Sequence, residues 1–247
     1  PDNLDFWKGT PEEYITQHKW AVEEIRKAAL NAIIANGGDC LMKPEWTPIM
    51  AAAIKGTTDV VAYHSHGDLK SVKKTFSDIV KVHQDAGYKS PKFINTEMGY
   101  AAWRLDQERP QATSAIQKII YYWAHGNKGV LLYLSRGIGG PRMIPDDPDW
   151  GFVDYFMCPR FAYGALSAFI DTYAGAHFDK TLAETDNLHA YAFKSGNKQL
   201  ISAFAIDKPV NISVKGNWKS AAIIDPMGNR KKIASKTSIT CQAGNYP

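Results

Sequence analysis

The stretch KFINTEMGY, from Lys92 to Tyr100, decides how the rest of this sequence is interpreted. Phe93 and Ile94 favour a buried β-strand, and the strand delivers a carboxylate, Glu97, shortly before Gly99 turns the chain away. An acid at the end of such a strand has two explanations. It is either a glutamate that faces water in a loop, or a reactive carboxylate held at the rim of a barrel. The neighbouring segments decide between them.

Strand-like and helical segments alternate along the first three quarters of the chain. A capping box at Thr10-Pro11-Glu12-Glu13 predicts the start of the first helix. The alternation predicts βαβ units and a parallel sheet, and the apolar runs VVAY and VLLYL are typical of strands buried on both faces. Polar clusters follow the strands, and in a (β/α)8 barrel this end carries the active site. The predicted strands are 31–38, 58–67, 92–100 and 129–137, and the predicted helices are 10–29, 44–56, 69–83, 111–127 and 158–175.

The pattern changes after about residue 178. Short alternating strands follow, separated by turn signals such as Pro226-Met227-Gly228-Asn229. These features predict an antiparallel β-sandwich. We therefore predict an α/β fold with two domains, half of a (β/α)8 TIM barrel at residues 1–178, which the resemblance described below implies is the C-terminal half, and a small β-sandwich at 179–247. Since only half of the barrel strands are found, we expect a second polypeptide or a second copy to complete the barrel.

Composition excludes several classes of function. The 247 residues are 45% hydrophobic and 22% charged, as in ordinary globular proteins. The formal charge of +4 is mild, and no basic tract is interleaved with aromatic residues, so we expect no nucleic-acid partner. No apolar run is long enough to span a bilayer, so we expect no membrane partner. Cys40, Cys158 and Cys241 lie far apart, which argues against a zinc site or a disulfide framework.

The strand endings resemble the (β/α)8 glycoside hydrolases of the retaining superfamily called clan A, in the branch that contains β-xylosidases and α-L-iduronidases. There the nucleophile glutamate ends strand seven, commonly as Thr-Glu followed by Gly or Tyr, and Thr96, Glu97 and Gly99 match this motif. The start PDNLDFWKGTPEEY resembles the continuation of the Asn-Glu-Pro-Asp motif of strand four. The resemblance implies that the four predicted strands are strands five to eight. It also implies that Glu97 is the nucleophile and that the acid/base glutamate lies just upstream of Pro1.

His64 and His66 lie on the same side of their strand, because side chains alternate along a strand. The resemblance matches His64 to a strand-six histidine and His66 to a position, often Tyr, that hydrogen-bonds the nucleophile. The alternative is a metal pair, as in amidohydrolases, but such sites need further ligands at later strand ends. The predicted strand 129–137 carries Arg136 at its end, and an arginine side chain does not bind a metal ion. We therefore predict neither metal nor cofactor.

Aromatic residues near the strand ends are candidates for stacking on sugar rings, since they combine an apolar face with a polar tip. Trp7 follows the strand-four motif. Many relatives carry a Trp at the end of strand eight that is absent here, and Tyr133 or Arg136 stands in its place. Arg136 is expected to pair with Glu97, to bind an acidic sugar, or to form a surface salt bridge. The other candidates for substrate binding are Tyr100, Trp103 and Trp150.

The sequence thus predicts a retaining glycoside hydrolase that acts on a poly- or oligosaccharide by double displacement. A carbohydrate is the expected partner, and a secreted or periplasmic location is expected for the full-length enzyme. Two other functions stay open. One is a catalytically inactive carbohydrate-binding homologue, and the other is a metal-dependent barrel hydrolase.

Overall fold

The computed structural model describes residues 7–40, 42–102, 105–137, 150–234 and 237–244. Within these ranges the helices are α1 (Pro11–Ala28), α2 (Thr47–Ile54), α3 (Leu69–Asp85), α4 (Glu108–Ala124) and α5 (Phe161–Tyr173), with a short 3-10 helix at Leu105–Gln107. The strands are β1 (Val61–His66), β2 (Phe93–Gly99), β3 (Val130–Leu132), β4 (His177–Glu184), β5 (Leu188–Ser195), β6 (Lys198–Ala205), β7 (Val210–Lys215), β8 (Ala221–Ile224), β9 (Arg230–Ile233) and β10 (Ser238–Ala243).

The chain folds as two compact units. The described residues of Pro1–Gly99 and His125–Tyr133 form the first, and those of Tyr100–Ala124 and Leu134–Pro247 form the second. The predicted boundary between residues 178 and 179 falls inside the second unit and stays a prediction. No helix in the described ranges has both the length and the apolar character needed to cross a membrane.

The first unit contains a parallel sheet in the order β1-β2-β3. The predicted alternation of parallel strands and helices is therefore confirmed for this part of the chain. The capping box of α1 is also confirmed, since the Glu13 N–H donates to Thr10 Oγ1 at 3.2 Å and the Thr10 N–H donates to Glu13 Oε2 at 2.7 Å. α3 ends before Gly87, whose φ of 83° places it in the left-handed region. The buried residues of α3 are Leu69, Val72, Phe76, Ile79 and His83.

The strands of this sheet differ in how far their side chains are buried. β1 is buried as predicted, with Val61 at 2% and Tyr63 at 0% exposure. The Tyr63 ring stacks on the ring of Phe76 in α3, with the two ring centroids 5.7 Å apart. The prediction that VLLYL is buried on both faces is wrong, because Leu131 of β3 is 50% exposed. Among the described residues β3 pairs only with β2, so it lacks the cover that a central strand receives.

The prediction of a regular strand at 31–38 is wrong. Ala35 and Asp39 make only isolated parallel bridges to the β1 side of the sheet. Between them the side chain of Asn36 takes the place of a strand backbone. The Ala62 N–H donates to Asn36 Oδ1 at 2.7 Å, and Asn36 Nδ2 donates to the Ala62 carbonyl at 3.1 Å. The Ala62 carbonyl also accepts from the Asp39 N–H at 3.3 Å, so it is the pairing of the Ala62 N–H that the Asn36 side chain supplies.

Replacing Asn36 by alanine is expected to lower the free energy of unfolding by about 2 kcal/mol, since the buried Ala62 N–H loses its acceptor. Urea denaturation measures the change. Asn211→Ala in β7 is the control, because Asn211 is exposed and its loss should leave stability within about 0.5 kcal/mol of the original. Equal stability of the two variants would contradict this account of segment 31–38.

The second unit is rich in antiparallel strands. β4-β5-β6 form a three-stranded sheet, β7 pairs with β10, and β8 pairs with β9. The predicted turn at Pro226–Asn229 joins β8 to β9, where the Gly228 N–H donates to the Asp225 carbonyl at 2.9 Å. β4 (His177–Glu184) pairs with β5, so the antiparallel strands begin before residue 178. The sequence of β4 is less apolar than that of β5.

Candidate functional site

The candidate site forms where β1 and β2 end side by side. Tyr63 lies opposite Asn95, but the next residue, His64, lies opposite Glu97. Thr96 is therefore an extra residue in β2, which makes a β-bulge directly before the glutamate. Bulges re-aim the side chains that follow them. Here the bulge brings Glu97 level with His64 rather than one residue beyond it.

Two imidazoles bracket the Glu97 carboxylate. His66 Nε2 lies 3.1 Å from Glu97 Oε1, and His64 Nδ1 lies 3.6 Å from Glu97 Oε2. An ionised carboxylate only accepts hydrogen bonds, so His66 donates through Nε2. The Glu97 side chain is 32% exposed, which leaves room for a reacting atom to approach it.

The His64 ring occupies the space that a side chain at position 38 would need, so position 38 requires glycine. A Cβ at Gly38 would lie 2.6 Å from Cδ2 of His64 and 2.9 Å from Oγ1 of Thr96, both shorter than real contacts of this kind. The backbone of His64 is fixed as well, since its N–H donates to the Asp39 carbonyl at 2.7 Å. Sequence reasoning missed this role. The Gly37-Gly38 pair at the end of the predicted strand 31–38 is the signal that could have indicated it.

His66 is supported by Tyr133, one of the predicted site residues. The Tyr133 ring meets the His66 ring edge-on, with centroids 6.1 Å apart and planes at 89°. The backbone N–H of Tyr133 donates to the Met98 carbonyl at 2.8 Å, which ties the residue after β3 to the end of β2. Tyr133 thus contacts the imidazole that donates to Glu97.

A buried hydrogen bond links the two strands beneath the site. Asn95 is fully buried, and its Nδ2 donates to Ser65 Oγ at 2.9 Å. Both residues flank the bulge, so this bond fixes the strand register at the point where the ladder shifts.

Trp7 is held against the first turn of α1. Its indole N–H donates to the Thr10 carbonyl at 3.3 Å, and its ring meets Tyr14 edge-on at 5.8 Å. Tyr14 in turn accepts a hydrogen bond from the Gly37 N–H at 2.8 Å. Burial raises the pKa of Tyr14, the Gly37 bond opposes the rise, and Asp39 adds to it, so the hydroxyl stays neutral. Sequence reasoning missed this contact between α1 and the loop beside His64.

Three further candidates belong to the second unit. Arg136 is exposed and donates through Nε and Nη2 to the Tyr155 carbonyl at 3.2 and 2.8 Å, with its guanidinium 5.0 Å from the Tyr155 ring centroid. The Tyr100 ring lies 6.0 Å from Lys118 Nζ. The Trp150 carbonyl accepts a backbone hydrogen bond at 3.2 Å. Trp103 lies outside the described residues. The substrate-binding roles of all these residues stay predictions.

Metal ligands are not grouped in the part of the chain that the structure describes. There, no cluster of three or more histidine, cysteine, aspartate or glutamate side chains is arranged as a metal site requires.

Solved structures of glycoside hydrolases resemble this chain. A family 39 glycoside hydrolase from the gut symbiont Bacteroides cellulosilyticus WH2 matches 96% of this chain and 61% of its own, with a TM-score of 0.64 and 12% identity. A monomeric β-xylosidase from Caulobacter crescentus CB15 matches 98% and 66%, with a TM-score of 0.65 and 12% identity. The GH51 arabinofuranosidase from Xanthomonas axonopodis pv. citri matches 96% and 62%, with a TM-score of 0.63 and 11% identity.

At these identities the likeness shows the fold alone. The chain has a fold of the glycosidase type, and its neighbours are TIM-barrel enzymes of clan A. The resemblance inferred from the sequence is confirmed at this level, whereas the branch within the clan is not. The chain spans 61–66% of the length of these three proteins. No family model matches the chain, and no curated protein matches it.

Proposed function

We propose that this chain carries the nucleophile of a retaining glycoside hydrolase that cleaves a poly- or oligosaccharide. The observation that carries the proposal is the Glu97 carboxylate, which ends a parallel strand of a glycosidase-type fold with an imidazole at each oxygen. His66 and His64 restrict the carboxylate to one orientation, and orientation of this kind supplies a large part of enzymatic rate enhancement.

The proposal includes a finer description of the fold. We assign the segment around Ala35–Asp39 and strands β1, β2 and β3 to strands five to eight of a (β/α)8 barrel, with residues 1–178 as its C-terminal half. Residues 179–247 form the β-sandwich, which holds β5 to β10 and most of β4. The parallel order of β1, β2 and β3 and the antiparallel pairing of the later strands support this assignment.

In the proposed reaction, Glu97 attacks the anomeric carbon and forms a glycosyl-enzyme intermediate. The glycosidic oxygen leaves with a proton from a second carboxylic acid, which then takes a proton from the water that hydrolyses the intermediate. Retention places the two carboxyl groups about 5 to 5.5 Å apart. We assign the second group to a glutamate from outside these 247 residues, on the strength of the motif that PDNLDFWKGTPEEY continues.

The configuration of the first product tests the proposal. The full-length protein is incubated with aryl glycosides and oligosaccharides of pentoses and hexoses, and NMR follows the anomeric signal of the released sugar. Retention of configuration supports a double displacement. Inversion contradicts it, and binding without hydrolysis of any substrate would identify an inactive carbohydrate-binding homologue.

Chelation is expected to leave the activity unchanged, because His64 and His66 are proposed to support Glu97 and not a metal. Incubation with EDTA followed by assay, and elemental analysis of the purified protein, provide the measurement. Activity that disappears with EDTA and returns with zinc would instead favour a metal-dependent hydrolase that uses the histidine pair.

A further inference from the structure

The β8–β9 hairpin carries a dense group of positive charges. Its two strands pair antiparallel along their whole length. Lys219 lies just before β8, and Arg230, Lys231 and Lys232 are consecutive in β9. All four side chains are exposed. We call these four residues the cationic hairpin.

The only carboxylate in this hairpin is committed to its turn. Asp225 Oδ1 accepts hydrogen bonds from the backbone N–H groups of Met227 and Asn229, both at 2.9 Å. Its Oδ2 accepts from Asn229 Nδ2 at 2.8 Å. In the described part of the chain, none of the four cations forms an ion pair with a carboxylate. The charge of the hairpin is therefore not balanced locally.

Some exposed lysines elsewhere in the described chain form ion pairs with carboxylates. Lys74 pairs with Asp78 in α3 at 2.6 Å, and Lys194 pairs with Asp179 across β4 and β5 at 2.6 Å. These pairs contribute little stability, but each one neutralises a lysine at the surface. What distinguishes the cationic hairpin is that four exposed cations without such a pair lie in or just before one short antiparallel pair of strands.

Strand geometry distributes the charges over both faces of β9. Arg230 and Lys232 point to one face of β9 and lie about 7 Å apart, while Lys231 points to the other face. A group of exposed cations without paired carboxylates raises the local concentration of anions, and this attraction weakens with salt. A single small anion engages one or two such side chains. A polymer with repeated negative groups engages several at once.

We propose that the cationic hairpin binds a polyanionic glycan, meaning a polysaccharide with carboxylate or sulfate groups. The site is made of residues other than those proposed for catalysis. The choice of a glycan over a nucleic acid rests on the proposed function, because a glycosidase acts on polysaccharides. Holding the polymer at the hairpin raises its effective concentration for the rest of the enzyme.

Protection of an exposed strand edge is the other explanation for charges on β9, since lysines on edge strands prevent edge-to-edge association. That role is served by charges of either sign. Replacing Lys231 and Lys232 by glutamate keeps the edge charged, so the variant stays soluble under both explanations. Only the proposed binding is sensitive to the sign of the charge.

Affinity electrophoresis of the full-length protein tests the proposal. Polygalacturonate in the gel should retard the protein, neutral xylan should not, and retardation should disappear at about 0.5 M salt. Dextran sulfate in a parallel gel distinguishes sulfate from carboxylate recognition. The affinity of the double variant K231E/K232E for polygalacturonate is expected to be at least about tenfold lower than that of the original protein.

The matched control is K70E/K89E, which changes the net charge equally at two exposed lysines outside the hairpin and should bind as the original does. E97Q should also bind normally, so a failure of the catalytic proposal leaves this result unaffected. Three outcomes overturn the inference. K231E/K232E binds as tightly as the original, K70E/K89E loses as much, or the protein binds duplex DNA or anionic vesicles but neither acidic polymer.

Discussion

Replacing Glu97 by glutamine in the full-length enzyme is expected to lower kcat by about a thousandfold or more, while the fold and substrate binding are kept. Glutamine has nearly the same shape and keeps an oxygen to accept from His66 Nε2, but its amide cannot attack the anomeric carbon. Steady-state kinetics on an aryl glycoside measures the loss. Circular dichroism and the melting temperature show whether the fold is retained.

Chemical rescue makes this prediction specific. Removing the side chain in Glu97→Gly leaves space for azide, which should restore activity and release a glycosyl azide of inverted configuration. Glu23→Gln is the control, because Glu23 is exposed on α1 and forms only a surface pair with Lys27. Near-normal rates in Glu97→Gln, or a comparable loss in Glu23→Gln, would contradict the assignment of the nucleophile.

Replacing Gly38 by alanine is expected to lower kcat/KM about tenfold to hundredfold with little change in melting temperature. The added Cβ would stand 2.6 Å from Cδ2 of His64, so the ring must leave its place beside Glu97. A displacement of about 1 Å at a positioned group costs on the order of a hundredfold in rate. The same kinetic assay measures the change.

A double-mutant cycle shows whether Gly38 acts through His64. Once His64 is replaced by alanine, Gly38→Ala should cause little further loss, because the ring that it displaces is gone. Gly244→Ala is the control, since a Cβ there meets no atom within 4 Å. Full activity in Gly38→Ala, or additive losses in the double variant, would show that Gly38 does not seat His64.

Local patterns predicted much of the first unit. Thr10 and Glu13 fix the start of α1 because their capping interactions involve neighbours in sequence. Val61 and Tyr63 were predicted to be buried because apolar residues at strand spacing seek the core. The proximity of His66 to Glu97 was implied by the resemblance to clan A glycoside hydrolases, and it agrees with the rule that parallel strands end at one edge of a sheet.

Contacts between residues that lie far apart in the sequence could not be predicted from local patterns. Asn36 interrupts a predicted strand because its side chain supplies the acceptor for the Ala62 N–H, 26 residues away, and nothing in the local pattern signals that contact. The bulge at Thr96 depends on the register with β1, which no single strand encodes. The cationic hairpin could not be predicted from the number of charges, because Lys219 and the Arg230–Lys232 run join one hairpin only through the pairing of β8 with β9.

Covalent trapping identifies the nucleophile of the reaction without relying on a loss of activity. The full-length enzyme is incubated with an activated 2-fluoro glycoside, which slows breakdown of the glycosyl-enzyme intermediate, and the labelled peptide is identified by mass spectrometry. The account predicts one sugar per enzyme on the peptide that contains Glu97, and no label on Glu97→Gln. A stable label on a different carboxylate, or turnover by the enzyme with no label at all, would contradict it.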